Sequence, residues 1–285
     1  MSSKIYFGNS NRFSVRKKAL NIASRFHHKI APKHALKTAR KLFLTPAKGR
    51  EVNPVPAGME IATVETAQGK MMTYRLGSGP TWMLTHGWSG SSNQFFPLME
   101  YIAAAGFTAL AYDHPGHGKS DGKEGSIPAF LKALDDILNH QESIEGVIAH
   151  SMGGATLLES EHPVLMGKPI ILVAPVLKYW ENLFGTVEAS GYSMKLFKEV
   201  VATVSEEYGV RIEDIDPFNK LAARQSPVFI VHDKSDRFAP FGVSKEASEH
   251  FGHVTLVETE GLGHGRVLKS KPLRDVFINA ASVVN

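Results

Sequence analysis

Cysteine is absent from all 285 residues, which excludes a thiol nucleophile, a Cys-ligated zinc or iron–sulfur site, and any disulfide. A catalytic nucleophile in this chain must be Ser, Thr, Lys, Asp, Glu, His or Tyr. No apolar run approaches the roughly 18 residues of a membrane span, and the apolar stretch of about 7 to 15 residues that defines a secretory signal is also missing. A third absence is local: residues 1–50 hold 13 Lys+Arg and no acid. The net charge of +4 therefore joins two unlike parts, because the other 235 residues carry 19 basic against 28 acidic side chains. The basic balance belongs to the first 50 residues, and the body is acidic. Hydrophobic residues make up 43% of the chain, ample for a buried core, which argues against disorder for most of it.

In the basic segment, Ala19, Leu20, Ile22, Ala23 and Phe26, then Leu36, Ala39, Leu42 and Phe43, recur at steps of three and four, the mark of helices with one apolar stripe. Pro32 divides the segment into two short helices. Residues 1–50 thus read as a basic helical extension that braces the body. A surface helix touching a membrane and a mitochondrial presequence are the alternatives.

After Pro54 and Pro56 the pattern predicts one domain over 55–285. Ile61–Thr66 and Met71–Leu76 alternate as a hairpin around Gly69. Six short continuous apolar runs follow: Trp82–Thr85, Thr108–Tyr112, Gly146–Ala149, Ile170–Ala174, Val228–Val231 and Val254–Val257. Such runs suit strands buried on both faces. Helical patterns lie between them at 93–105, 126–140, 154–161 and 267–284. Ser126 is placed to cap the second and Pro128 stands in its first turn. The alternation predicts an α/β fold, a mostly parallel eight-stranded sheet with helices on both faces. Between Pro175 and Pro227 lie about 50 residues, too many for an ordinary loop. Aromatics on helical-looking stretches there predict an inserted helical lid over 177–226.

The chemistry concentrates at Ala149-His150-Ser151-Met152-Gly153-Gly154. A buried strand stops at a serine with small residues two positions to either side, and a helix begins at once. This is the pattern of a nucleophile elbow, a turn so tight that larger neighbours would clash, which lifts the hydroxyl above the sheet. A serine hydroxyl needs a base, and the base needs an orienting acid. Two carboxylates, Asp233 and Asp236, follow the seventh strand; Asp236 stands further out and can reach over the sheet rim, whereas Asp233 suits a turn cap. After the eighth strand, the flexible Gly-rich loop Gly261-Leu262-Gly263-His264-Gly265 offers one imidazole. Ser151, Asp236 and His264 are the expected catalytic residues. The expected oxyanion donors are the backbone amides of Met152, at a helix start, and of Trp88, in the loop His86-Gly87-Trp88-Ser89-Gly90, where His86 supports the backbone.

Five motifs in this order resemble the α/β-hydrolase superfamily over about residues 60–285: His86-Gly87-Trp88, Asp113-His114-Pro115-Gly116-His117-Gly118-Lys119-Ser120, the elbow, the Asp236 loop and the His264 loop. The second resembles the family's D-x-P-G-x-G-x-S loop, whose role is structural. Ala149 stands where the family usually has Gly, and the triple-Gly oxyanion loop of some lipases is missing. Within the superfamily the chain is similar to serine esterases, lipase-like or serine-aminopeptidase-like hydrolases with a helical lid.

The resemblance implies acyl transfer to Ser151, carboxylic esters as substrates, and no cofactor or metal. Amide or peptide hydrolysis, with Glu181 or Glu188 as an ammonium anchor, and cofactor-free haloperoxidase chemistry are the alternatives on the same fold; Ser151 argues against epoxide hydrolysis, which places Asp at the elbow. A metal site would need His86, His114, His117 and His150 to converge, and their motif positions predict that they do not. A non-catalytic binding protein using the basic extension on nucleic acid is disfavoured by the complete triad. The expected partner is a small ester, with no nucleic acid, and the expected location is cytoplasmic, peripheral to a membrane if the extension docks there. Oligomeric state is not legible.

Overall fold

The computed structural model describes residues 15–49 and 51–282. The first 14 residues of the extension, position 50, and the expected helical positions 283 and 284 lie outside the described residues. Eight strands form one sheet: β1 (Glu60–Thr66), β2 (Gly69–Leu76), β3 (Thr81–Thr85), β4 (Thr108–Tyr112), β5 (Gly146–His150), β6 (Ile170–Val173), β7 (Val228–Asp233) and β8 (Val254–Thr259). Their order is β1-β2-β4-β3-β5-β6-β7-β8. β2 runs antiparallel to both neighbours, and the rest of the ladder is parallel.

The continuous apolar runs are explained by the two sheet faces. Leu84, Ile148, Ile171, Val173, Phe229 and Val231 point to one side, and Met83, Val147, Ala149, Ile170, Leu172 and Ile230 to the other. Strand side chains alternate, so a strand covered on both faces has no polar position to spare. The first face is covered by α3 (Phe96–Ala104) and α11 (Lys271–Ser282). On the other lie α4 (Ile127–Asn139), α5 (Met152–Glu159) and α9 (Phe241–His250). Ser126 caps α4 by accepting from the Ala129 amide, with Pro128 in the first turn. β8 departs from the doubly buried expectation: it is the terminal strand, and Thr255 is exposed while Leu256 and Val257 are half-buried. The patterns at 93–105 and 267–284 each resolve into a 3-10 turn, Ser92–Phe95 or Val267–Lys269, before the α-helix proper, with Pro97 and Pro272 in the helical first turns.

The residues between β6 and β7 form α6 (Tyr179–Ser190), α7 (Met194–Tyr208) and a short α8 (Pro217–Lys220), with 3-10 turns at Ile212–Asp214 and Leu221–Ala223. The extension forms α1 (Val15–Ile30) and α2 (Pro32–Leu44), broken at Pro32 as the sequence predicts. α2 packs on the inserted part of the body. Ala35 and Ala39 bury against Leu196, Phe197 and Val200, and Phe43 meets Tyr192 and Phe197 edge-on at 5.1 and 5.3 Å. Arg40 bridges Glu207 at 2.6 Å and Glu124 at 2.9 Å, tying extension, insertion and the loop before α4 together. Among the described residues, no helix is long and apolar enough to cross a membrane.

Candidate active site

β5 ends at His150 and α5 begins at Met152, two residues earlier than the pattern predicts, so the whole reversal falls on Ser151. Its backbone sits at φ 54°, ψ −121°, a strained region for a residue with a Cβ. Ladder bonds hold it there: its amide donates to the Val173 carbonyl at 3.0 Å, and its carbonyl accepts from the Gly154 amide at 3.0 Å. Glycine is required on both sides of the turn. A methyl on Gly153 would stand 2.6 Å from the His86 carbonyl oxygen and 2.7 Å from that of Thr85, and one on Gly87 would meet the Ser151 Cβ at 2.7 Å. Ala149, by contrast, is fully buried, its methyl taken into the core cluster on the face covered by α4, α5 and α9.

Three of the predicted side chains meet at this turn. Ser151 Oγ lies 2.9 Å from His264 Nε2, and His264 Nδ1 lies 2.7 Å from Asp236 Oδ2. His264 sits on a single helical turn, α10 (Gly263–Arg266), rather than on a flexible loop. Asp236 Oδ1 accepts from the Phe238 and Ala239 amides at 2.7 and 3.1 Å. Burial alone would raise the Asp236 pKa, but hydrogen bonds from His232, His264 and the Phe238 amide hold it well below the usual carboxylate range. Asp233 has a different task. It accepts from Ser235, Thr259 Oγ1 and the Leu262 amide, fastening the β7 turn to the segment that carries His264.

Sequence reasoning missed two histidines. His232, fully buried near the end of β7, places Nε2 3.2 Å from Asp236 Oδ2 and Nδ1 2.7 Å from Ser244 Oγ. Donation to the carboxylate from Nε2 leaves Nδ1 to accept from the Ser244 hydroxyl, so the hydrogen-bonded chain runs Ser244, His232, Asp236, His264, Ser151. His150, beneath the serine, donates from Nε2 to the His264 carbonyl at 3.0 Å. Burial and the neighbouring His264 lower its pKa to about 3, so it stays neutral. A buried imidazole at the end of an otherwise apolar strand is the signal that both share.

The loop after β3 is pinned by imidazoles kept neutral through burial. His86 donates from Nδ1 to the Gly87 carbonyl and accepts at Nε2 from the His114 amide, and its pKa falls to about 4. His117 accepts from the Ser89 amide at 3.0 Å, and its pKa falls to about 3. The rings of His86, His114 and His117 pack against one another, with His86 4.7 Å from His114 and 5.3 Å from His117, without converging on one ion. Both nitrogens of His86 and of His117 already have backbone partners. Among the described residues, no group of three His, Cys, Asp or Glu could hold a metal ion. Asp113 takes bonds from Ser92, Tyr74 and Lys119, a structural knot as the D-x-P-G-x-G-x-S resemblance implies. The held loop brings Gly87 against Ser151 and presents the Trp88 amide, which, like that of Met152, donates to no acceptor among the described residues. Ile127, Phe130, Met152 and Ala155, with Trp88, Tyr179 and Ile215 against them, make an apolar cluster beside the serine.

The fold can be matched outside this chain. The esterase of Pyrococcus furiosus superposes with a TM-score of 0.65 over 84% of this chain and 97% of its own, at 19% identity. A family model described as "Serine aminopeptidase, S33" matches residues 80–217, from β3 into the insertion. The chain has the α/β-hydrolase fold. The chain is also similar to the monoglyceride lipase homolog of monkeypox virus, 27% identical over 143 residues, which cover 44% of this chain and 51% of that protein. The human monoglyceride lipase is 27% identical over 107 residues, 32% of this chain and 35% of the human one. The matched part thus spans about half of the first relative and a third of the second.

Proposed function

We propose that this α/β hydrolase cleaves carboxylic esters through an acyl-enzyme on Ser151. One observation carries the reading: the unbroken hydrogen-bonded line from Ser151 Oγ through His264 to an Asp236 carboxylate held ionised. His264 Nε2 takes the proton as Oγ attacks the ester carbonyl and returns it to the departing alkoxide. Water then attacks the acyl-enzyme by the same route in reverse. Asp236 keeps the Nδ1–H tautomer and stabilises the imidazolium without being protonated itself. The amides of Trp88 and Met152 receive the oxyanion, the latter helped by the N-terminus of α5. The insertion, which supplies Tyr179 and Ile215 to the apolar cluster around Met152, acts as the lid on the acyl side.

The aminopeptidase description of the family model favours one second reading, hydrolysis of an aminoacyl amide. That substrate needs an acidic anchor for its ammonium. Glu181 lines a hollow of about 190 Å³ with Asn182, Pro240 and Val243, beside the loop of Asp236. Lys178, on the same hollow, is paired with Glu246.

A fluorophosphonate probe should label the protein and leave Ser151→Ala unlabelled; persistent labelling of the variant would overturn the nucleophile. p-Nitrophenyl esters of rising chain length, assayed beside aminoacyl anilides, separate the two substrates. Ester turnover that increases with acyl length and is absent on the anilides is the expected result.

A further inference from the structure

α1 is inside out. A surface helix ordinarily turns its apolar stripe to the core and its polar face to water. Here the side toward the insertion is polar. Ser24 is buried, accepting from the Ser193 amide at 3.1 Å, and His28 reaches Glu199 at 3.0 Å. The turn at Gly191 comes so close to the Lys17 carbonyl that a methyl there would stand 2.7 Å from it. The opposite side carries Val15, Ile22, Phe26 and Ile30, which are 81%, 68%, 63% and 65% exposed. Their spacing of seven, four and four puts them in one row along the helix. Exposed Lys18, Arg25 and Lys29 follow one edge of that row and Arg16 the other, and exposed Lys33, Lys37 and Lys41 line α2. No acid occurs in residues 1–50.

We propose that this outward face of α1 docks on an anionic lipid bilayer. An apolar row between basic edges matches an interface with acyl chains below and negative headgroups beside it. The other occupants match only half of it. Nucleic acid would neutralise the basic edges and leave Ile22, Phe26 and Ile30 in water. A second copy would cover the row only by bringing two acid-free, like-charged surfaces together. A helix of 16 residues is about 24 Å long at the α-helical rise, and with its charges it lies in the bilayer surface rather than crossing it. The apolar row supplies anchoring, and each basic side chain adds roughly fivefold in partitioning. Because α1 and α2 rest on α7, docking also holds the insertion at the bilayer. The consequence that membrane-dissolved esters are the substrates rests on the ester-hydrolase reading; the docking does not.

The test uses the full chain carrying Ser151→Ala, so that binding is read independently of hydrolysis. Sedimentation with phosphatidylcholine vesicles should show little binding. Vesicles containing phosphatidylglycerol should bind at least roughly tenfold better at low salt and lose that gain at high salt. Ile22→Asp with Phe26→Asp, both at exposed positions, should leave the thermal melt unchanged and reduce vesicle binding by roughly tenfold or more. Absence of preference for anionic vesicles, or equal binding by the double variant, overturns the proposal. So does a dimer in gel filtration that the double variant splits, since that assigns the row to a second copy. On a soluble ester the unaltered chain should turn over and the double variant with Ser151 intact should match it; no turnover by either indicts the catalytic reading and leaves the docking untouched.

Discussion

Asp236 is the residue on which most of the site's order converges. Its Oδ2 is shared by His264 and His232, and its Oδ1 is held by two amides. Two substitutions separate chemistry from support. Asp236→Asn removes the negative charge and allows the wrong tautomer at His264, so kcat should fall on the order of 10⁴-fold while the fold persists. His232→Phe puts a somewhat larger apolar ring at a fully buried position, strands the buried Ser244 hydroxyl and takes one donor from the carboxylate. Stability should drop by about 1–3 kcal/mol in urea melts, and turnover by only roughly tenfold, the equivalent of about 1.4 kcal/mol of lost orientation. Equal losses from both variants would show that His232 does more than support. Asp236 is legible in the chain order of residues, because its distance beyond the β7 run lets it reach over the rim. His232 is not, since nothing in a strand's period tells which buried imidazole faces a carboxylate.

At the scale of elements, the elbow depends on a strand, a helix and a neighbouring loop meeting without side chains between them. Gly153 lies against the carbonyls of Thr85 and His86, and backbone cannot retreat as a flexible side chain can. Gly153→Ala should therefore cost about 1–3 kcal/mol or more as overpacking does, and turnover of the proposed ester substrates should fall with it because Ser151 and the Trp88 amide move apart. Unchanged melting and turnover in that variant would mean that the turn relaxes freely. Strand positions are readable as short β-rich runs, and α4 as a capped amphipathic helix, because each signal is local. The helix after the elbow starts two residues ahead of its sequence pattern, since the serine's own backbone conformation, not the glycines, sets where it begins.

The whole molecule stores neutral imidazoles in its interior, and this ties stability to pH. Burial lowers His86 to about 4 and His117 and His150 to about 3, with His114 also well below its ordinary value. An unfolded chain protonates these groups near 6.5 while the folded one does not. Their contribution is complete above about pH 6.5 and is lost as pH falls toward 4, at up to ~1.4 kcal/mol per pH unit for each fully buried ring. Asp233 and Asp236, both depressed, act with the same sign but only below the usual carboxylate range. Tm should therefore fall steeply between pH 6.5 and 4.5, before the carboxylates titrate. A flat profile over that interval would show that these histidines are not held neutral.

By itself the sequence determined the sheet-and-helix alternation, the long helical segment after the sixth strand, the tight turn at Ser151 and the chain order in which Asp236 and His264 follow it. Each is written in short-range spacing, in the type of residue that a tight turn admits, or in the chain order of motifs. Only the tertiary structure decided that His232 and His150 join the line through Asp236 and His264, that three histidines from two separate loops pack together in the interior, and that α2 rests on the insertion rather than on the sheet. It also decided that α1 turns its apolar row outward. Periodicity fixes which residues share a helix face, but only packing against distant parts of the chain chooses which face meets water.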